Sequence, residues 1–286
     1  MAKLSLLIIF SLFSSLLQAN TEKKAEEIQE VTVPNGKVKV LRLPLDEKNK
    51  ITGVSCDNSK VPTRVVADKL EIILFAGYYS PDREFFCEAT TAAGKSKILK
   101  IKVTQFAYKE TALTVPPGKV FLSAKDQQRV AKEQKILNKV YAERTHDLLF
   151  TEPFMVPLKS ERTSIYGDKR IFNKKHPSTH LGNDFRAPVG TEIPCANMGK
   201  VVFVGDLFYS GKTVIIDHGM QLFSMYAHLS KTQVEKGVML KKGDIIGQAG
   251  MTGRASGPHL HWGVKINGEW IDGFSLVEEY TSLETK

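Results

Sequence analysis

The stretch Gly257-Pro258-His259-Leu260-His261-Trp262-Gly263-Val264 decides the reading of this chain, together with Tyr226-Ala227-His228 and His180-Leu181-Gly182-Asn183-Asp184 upstream of it. On a strand, residues i and i+2 leave from one face, so His259 and His261 present two imidazoles side by side. Imidazole nitrogen and carboxylate oxygen are both zinc ligands, at about 2.0 to 2.2 Å. The H-x-x-x-D of His180 and Asp184 is weak evidence alone, and a single histidine such as His228 at the end of an apolar strand is usually a core residue. Taken together, these elements supply three ligands plus two bases, the allotment of a catalytic zinc with one position left open.

Working outward, the sequence from Pro153 onward consists of short apolar runs broken by glycine. They include Gly199 to Phe203, Thr213 to Ile216, Leu222 to His228, Ile245 to Gly247 and His259 to Ile266, with no helical periodicity. An antiparallel barrel or sandwich is expected there, and every histidine but His146 falls within it. Upstream, Ser123 and Asp126 form a Ser-x-x-acid cap. Val130, Ile136, Leu137, Val140 and Tyr141 gather on one face of the helix that follows, which reads as an amphipathic connector packed on a domain. Val115-Pro116-Pro117-Gly118 before it suits a linker. From Val31 to Val103 apolar and polar residues alternate around a Pro34-Asn35-Gly36 turn, the pattern of a small immunoglobulin-like β domain. The expected divisions are 1–19, 25–107, 108–150 and 151–280.

With 42% hydrophobic and 25% charged residues in 286, the chain can bury a full core, and wholesale disorder is excluded. Lys3, the apolar run Leu4 to Leu17 and then Gln18-Ala19 have the three-part form of a secretory signal, which places the mature start near Asn20. The formal charge of +9, less one for Lys3, suits an acidic extracytoplasmic partner better than nucleic acid. Of the three cysteines, Cys56 and Cys87 share the early strand-rich segment and are the expected disulfide, leaving Cys195 as a buried small apolar residue.

From about Ser164 to Val277 the sequence resembles the LytM/lysostaphin-type zinc metallopeptidases. The resemblance rests on Ser164-Ile165-Tyr166-Gly167, the H-x-x-x-D, Gly190 to Ala196, Gly199-Lys200-Val201, Tyr226-Ala227-His228, Lys242-Gly243-Asp244, Gly250-x-Thr252-Gly253 and Gly257 to His261. It implies a mainly β protein, with an amino-terminal Ig-like β domain, a connecting helix and an antiparallel β-rich LytM-type peptidase domain. It also implies Zn2+ on His180, Asp184 and His261, and His228 and His259 as the catalytic pair, with the division of labour between those two left open. The implied activity is hydrolysis of peptidoglycan stem cross-links by metal-activated water, as a D,D-endopeptidase. The alternatives are a D,D-carboxypeptidase on uncross-linked stems or a non-catalytic regulator of other wall hydrolases. The expected partners are peptidoglycan and proteins of wall synthesis or cell shape, with no nucleic acid and no membrane span after signal cleavage, in a protein exported to the periplasm. Arg170 and Asn173 are candidate substrate contacts, because a loop there could present a guanidinium to a peptide carboxylate. His218, on a hairpin, is expected to be structural or a wall of the groove. The amino-terminal domain or the connecting helix is expected to cover part of that groove.

Overall fold

A computed structural model describes residues 28–45, 51–113, 122–143, 145–172 and 176–284. The signal-like segment 1–19, the proline-rich stretch around Pro116 and Asn173 lie outside the described residues. None of the described helices is long and apolar enough to cross a membrane.

The amino-terminal alternation folds into two sheets that share a core. One has the strand order Gln29–Pro34, Gly94–Thr104, Arg83–Thr91, Gly53–Cys56 and Ser59–Lys60, and the other the order Val38–Pro44, Lys69–Phe75 and Thr63–Val66. Val31, Val33, Leu99, Ile101 and Val103 face Leu70, Ile72 and Leu74 across the interior. Cys56 and Cys87 lie opposite each other on paired strands and are disulfide-bonded. The strand Gln29–Pro34 runs parallel to Gly94–Thr104, a pairing that alternation alone does not reveal.

Helix α1 (Ala124–Tyr141) begins as its cap requires, with the Asp126 amide donating to Ser123 Oγ at 3.1 Å. Val140, with Leu137 and Tyr141 beside it, packs on Val202, Ile215 and Phe223. Ile136, expected on that face, is instead 48% exposed, because it falls about 100° round the helix from Leu137.

The carboxy-terminal part is built on a ten-stranded sheet. Its main path runs Arg162–Ser164, Asn183–Arg186, His259–Ile266, Leu222–Thr232, Gly211–Asp217, Gly199–Leu207 and Met239–Leu240. The pairs along this path are antiparallel. One face buries Tyr226, Leu260, Trp262 and Val264 in the main core. The other face carries α1 at one end and is open beyond it. A smaller sheet pairs Glu110–Leu113 in parallel with Lys169–Phe172, which pairs antiparallel with His176–Thr179. A second helix, α2 (Gly273–Glu284), buries Leu276 and Tyr280. The expectation of no helix after Pro153 is therefore corrected, since this short amphipathic segment earns its helical state from packing rather than from a long periodic pattern.

The two parts share apolar contacts. Val38, Val40 and Ile73 of the amino-terminal strands join the cluster that holds Leu276 and Tyr280. Glu71, fully buried, pairs with Arg42 and Arg64 and accepts a hydrogen bond from Tyr280 Oη.

Candidate metal centre

Three neighbouring strands assemble the histidines. Asp184 on Asn183–Arg186 lies directly opposite His261, and Ala227 on Leu222–Thr232 lies opposite His261 from the other side. His180, in the loop just before, reaches back over the same face. The result is a triangle of lone-pair atoms: His180 Nε2 is 3.0 Å from Asp184 Oδ1 and 3.1 Å from His261 Nδ1, and His261 Nδ1 is 2.8 Å from Asp184 Oδ1. Among the described residues this is the group of three that could hold a metal ion.

The donor set fits a zinc ion. His180 Nδ1 donates to the Ile165 carbonyl at 2.9 Å, a bond that assigns its proton to that nitrogen and leaves the Nε2 lone pair turned into the triangle. Asp184 is acceptor-only when ionised, so one proton on His261 cannot satisfy all three atoms, whereas a cation can. A tetrahedral zinc sets its ligand atoms about 3.3 Å apart, close to the separations seen. Gly182 makes room, because a Cβ there would stand 2.5 Å from the His261 ring. Burial works against the charge on Asp184, but the imidazoles of His180 and His261 beside it outweigh that and hold the carboxyl well below its usual range.

His228 and His259 stand beside this triangle, their ring centroids 4.6 Å apart. Each is anchored through Nδ1, His228 to the Thr252 carbonyl and His259 to the Gly257 carbonyl, both at 2.8 Å. Their Nε2 atoms are thereby free for the groove, and that of His259 lies 3.8 Å from Asp184 Oδ1. His228 occupies a bulge with φ +60°, where the register against Gly211–Asp217 slips between Lys212 and Val214. Burial pushes its pKa down to about 4, so its ring is neutral near pH 7. The Thr252 carbonyl is placed by a tight meeting of loops, since a Cβ on Gly253 would come within 2.3 Å of the Gly211 amide.

These groups open into a groove of about 960 Å³. Arg170 lines it and donates to Ser164 Oγ at 2.9 Å. His218 does not. It is fully buried, bonded to the Met198 carbonyl and Ser224 Oγ at 2.7 Å each and packed on Phe154, so its expectation as a groove wall is corrected to a core residue. Of the segments expected to cover the groove, α1 contributes Gln134, Leu137 and Tyr141, while none of the described residues of the amino-terminal sheets lines it. Sequence reasoning missed Tyr141, Lys265 and Trp270 as groove residues, because their proximity depends on where the helix docks.

A β-sheet groove with a His-Asp-His triangle and a histidine pair defines a metallopeptidase-type site. Residues 178–273 match the sequence profile of Peptidase family M23, and the chain carries a domain of that family. It is 38% identical over 115 residues to peptidoglycan DD-endopeptidase ShyB of Vibrio cholerae, a match covering 38% of this chain and 26% of that protein. It is 40% identical over 98 residues to ShyA of the same organism, named likewise, covering 34% and 23%. A similar match, 37% over 98 residues, covers 34% of this chain and 23% of the DD-carboxypeptidase/endopeptidase Mpg of Neisseria meningitidis. The matched part thus spans about a quarter of the length of these relatives. A crystal structure described as peptidase M23 from Pseudomonas aeruginosa aligns over 86% of this chain and 94% of its own, with TM-score 0.68 and 25% identity.

Proposed function

We propose that this protein is an exported zinc metalloendopeptidase that hydrolyses the peptide cross-links of peptidoglycan. The observation that carries this reading is the juxtaposition of the ligand triangle with the two Nδ1-anchored imidazoles of His228 and His259. His180, Asp184 and His261 would hold the ion, which when bound supplies Lewis acidity for hydrolysis. One imidazole of the pair accepts the proton of the attacking water and delivers it to the leaving amine, while the other steadies the developing oxyanion. Anchoring through Nδ1 fixes the tautomer, so neither ring must reorient during the reaction. Arg170, which lines the groove, is proposed to meet a peptide carboxylate. Asn173 is proposed with it as a substrate contact from the sequence alone. The names of the relatives support the substrate class, and the signal-like residues 1–19 support export to the periplasm.

The test is digestion of cross-linked sacculi by the mature protein, beside a chelated sample and His259→Ala. Metal-dependent loss of dimeric muropeptides is expected. The name of the Neisseria relative favours a second reading, removal of terminal residues from uncross-linked stems, which the same digest would reveal as shortened monomers with dimers intact. No change in any muropeptide would overturn both.

A further inference from the structure

The strand that carries His259 and His261 continues on the same face through Gly263 to Lys265. At about 3.3 Å per residue, Lys265 lies about 13 Å along the strand from His261. Its ammonium stands 4.7 Å from the Tyr141 ring centroid and 4.9 Å from that of Trp270, and all three residues line the groove of the metal centre. Gly263 keeps the floor between them low, because a Cβ there would come within 2.7 Å of the Trp270 ring.

The charge at this place is not held in an ion pair among the described residues. Lys37 and Lys169 reach carboxylates at 2.8 and 2.9 Å, but among the described residues no carboxylate lies within ion-pair distance of Lys265 Nζ. Burial lowers its pKa from the usual lysine value, with Glu269 opposing only through space. The ring faces offset part of the lost hydration. The charged lining of the groove is otherwise Arg170, Arg186 and Arg254, with Asp184 as its acid among the described residues.

We infer that Lys265, held between Tyr141 and Trp270, is a specificity subsite for a carboxylate of an acidic peptide lying along the groove, about 13 Å from the bond presented to the metal centre. The inference rests on the peptidase reading above and adds to it a second point of recognition. An extended peptide brings about its fourth residue from the scissile bond to this clamp. The aromatic walls exclude water around the ammonium, and an arriving carboxylate gains a stronger attraction than it would at an open surface. Tyr141 lies on α1, before the segment matched to the peptidase family, so this half of the clamp comes from a part of the chain outside residues 178–273.

The test compares a cross-linked muropeptide dimer bearing free carboxylates with the same dimer converted to carboxamides. Binding of both to zinc-loaded His259→Ala protein is measured by calorimetry, and cleavage is followed with His259 intact. The free-carboxylate dimer is expected to bind about tenfold more tightly. Lys265→Met should abolish that preference, chiefly through KM in the cleavage assay, and Lys265→Arg should retain it. Retention of the preference in folded Lys265→Met would overturn the subsite while leaving the peptidase reading intact. So would an equal loss in Lys231→Met, outside the groove, because overall charge would then account for it. Failure of both dimers to bind or be cut would overturn both readings together.

Discussion

Asp184 and His261 face each other across paired strands, so truncating either side chain removes a donor without dismantling the sheet. Asp184→Ala is expected to cut the zinc content of purified protein well below one equivalent while its circular dichroism is unchanged. His259→Ala should keep its zinc and lose about 10² to 10⁴ in kcat, the span typical of a proton-transferring group. His218 makes a different kind of prediction. Burial pushes its pKa down to about 4, against about 6.5 in an unfolded chain, so the unfolded state takes up the proton first as pH falls. Its neutral form costs nothing above pH 6.5, and stability should drop progressively between about pH 6.5 and 4, by on the order of 3 kcal/mol. Urea melts across that window, compared with His218→Gln, would check the sign and size. The residues of the triangle were legible through the resemblance to LytM-type peptidases, while strand periodicity alone carried His259 and His261 to one face. For His218 the sequence left two places open, structural or groove wall, because Asp217-His218-Gly219 reads as a hairpin turn, and the docking of Phe150 and Phe154 decides for the structural one.

At the scale of elements, α1 does more than connect. Its apolar stripe was visible in the sequence, but a stripe states only that something is covered, not that the neighbouring surface is the groove. Val140→Ala should destabilise the protein by about 2 kcal/mol through lost burial and the cavity left on Val202, Ile215 and Phe223. A fragment beginning at Thr151 would lose both α1 and the strand Glu110–Leu113, exposing those apolar residues and one edge of Lys169–Phe172. Its Tm is expected to fall by on the order of 10 °C or more relative to the mature chain, measurable by calorimetry. Comparing its activity with that of the full chain therefore requires a matched measure of its folded fraction. Helix α2 was missed for a complementary reason: it is one short amphipathic segment after a strand-rich stretch, and Gly273 at its start, where a Cβ would meet Trp262 at 2.7 Å, reads in sequence as a breaker.

Across the whole molecule, the two β-rich parts meet through an apolar cluster that takes in Val38, Val40 and Ile73, while the amino-terminal sheets keep a core of their own. The alternation from Val31 to Val103 would turn Glu71 outward between Leu70 and Ile72, yet Glu71 is 0% exposed because Arg42, Arg64 and Tyr280 close over it. Removing one partner of such a buried cluster typically costs about 3 to 5 kcal/mol. The wild type is expected to melt in one calorimetric transition and Glu71→Ala in two, with the amino-terminal part melting first. The parallel pairing of Glu110–Leu113 with Lys169–Phe172 has a kinetic consequence as well. The chain leaves this small sheet, runs through α1 and returns to it, so closing the ladder requires a long loop to find its own beginning. Hairpins such as Gly199–Leu207 with Gly211–Asp217 need no such search. On refolding, the sheet that holds the histidines should therefore form before its helical wall is tied down, and the complete groove should be among the last features the chain acquires.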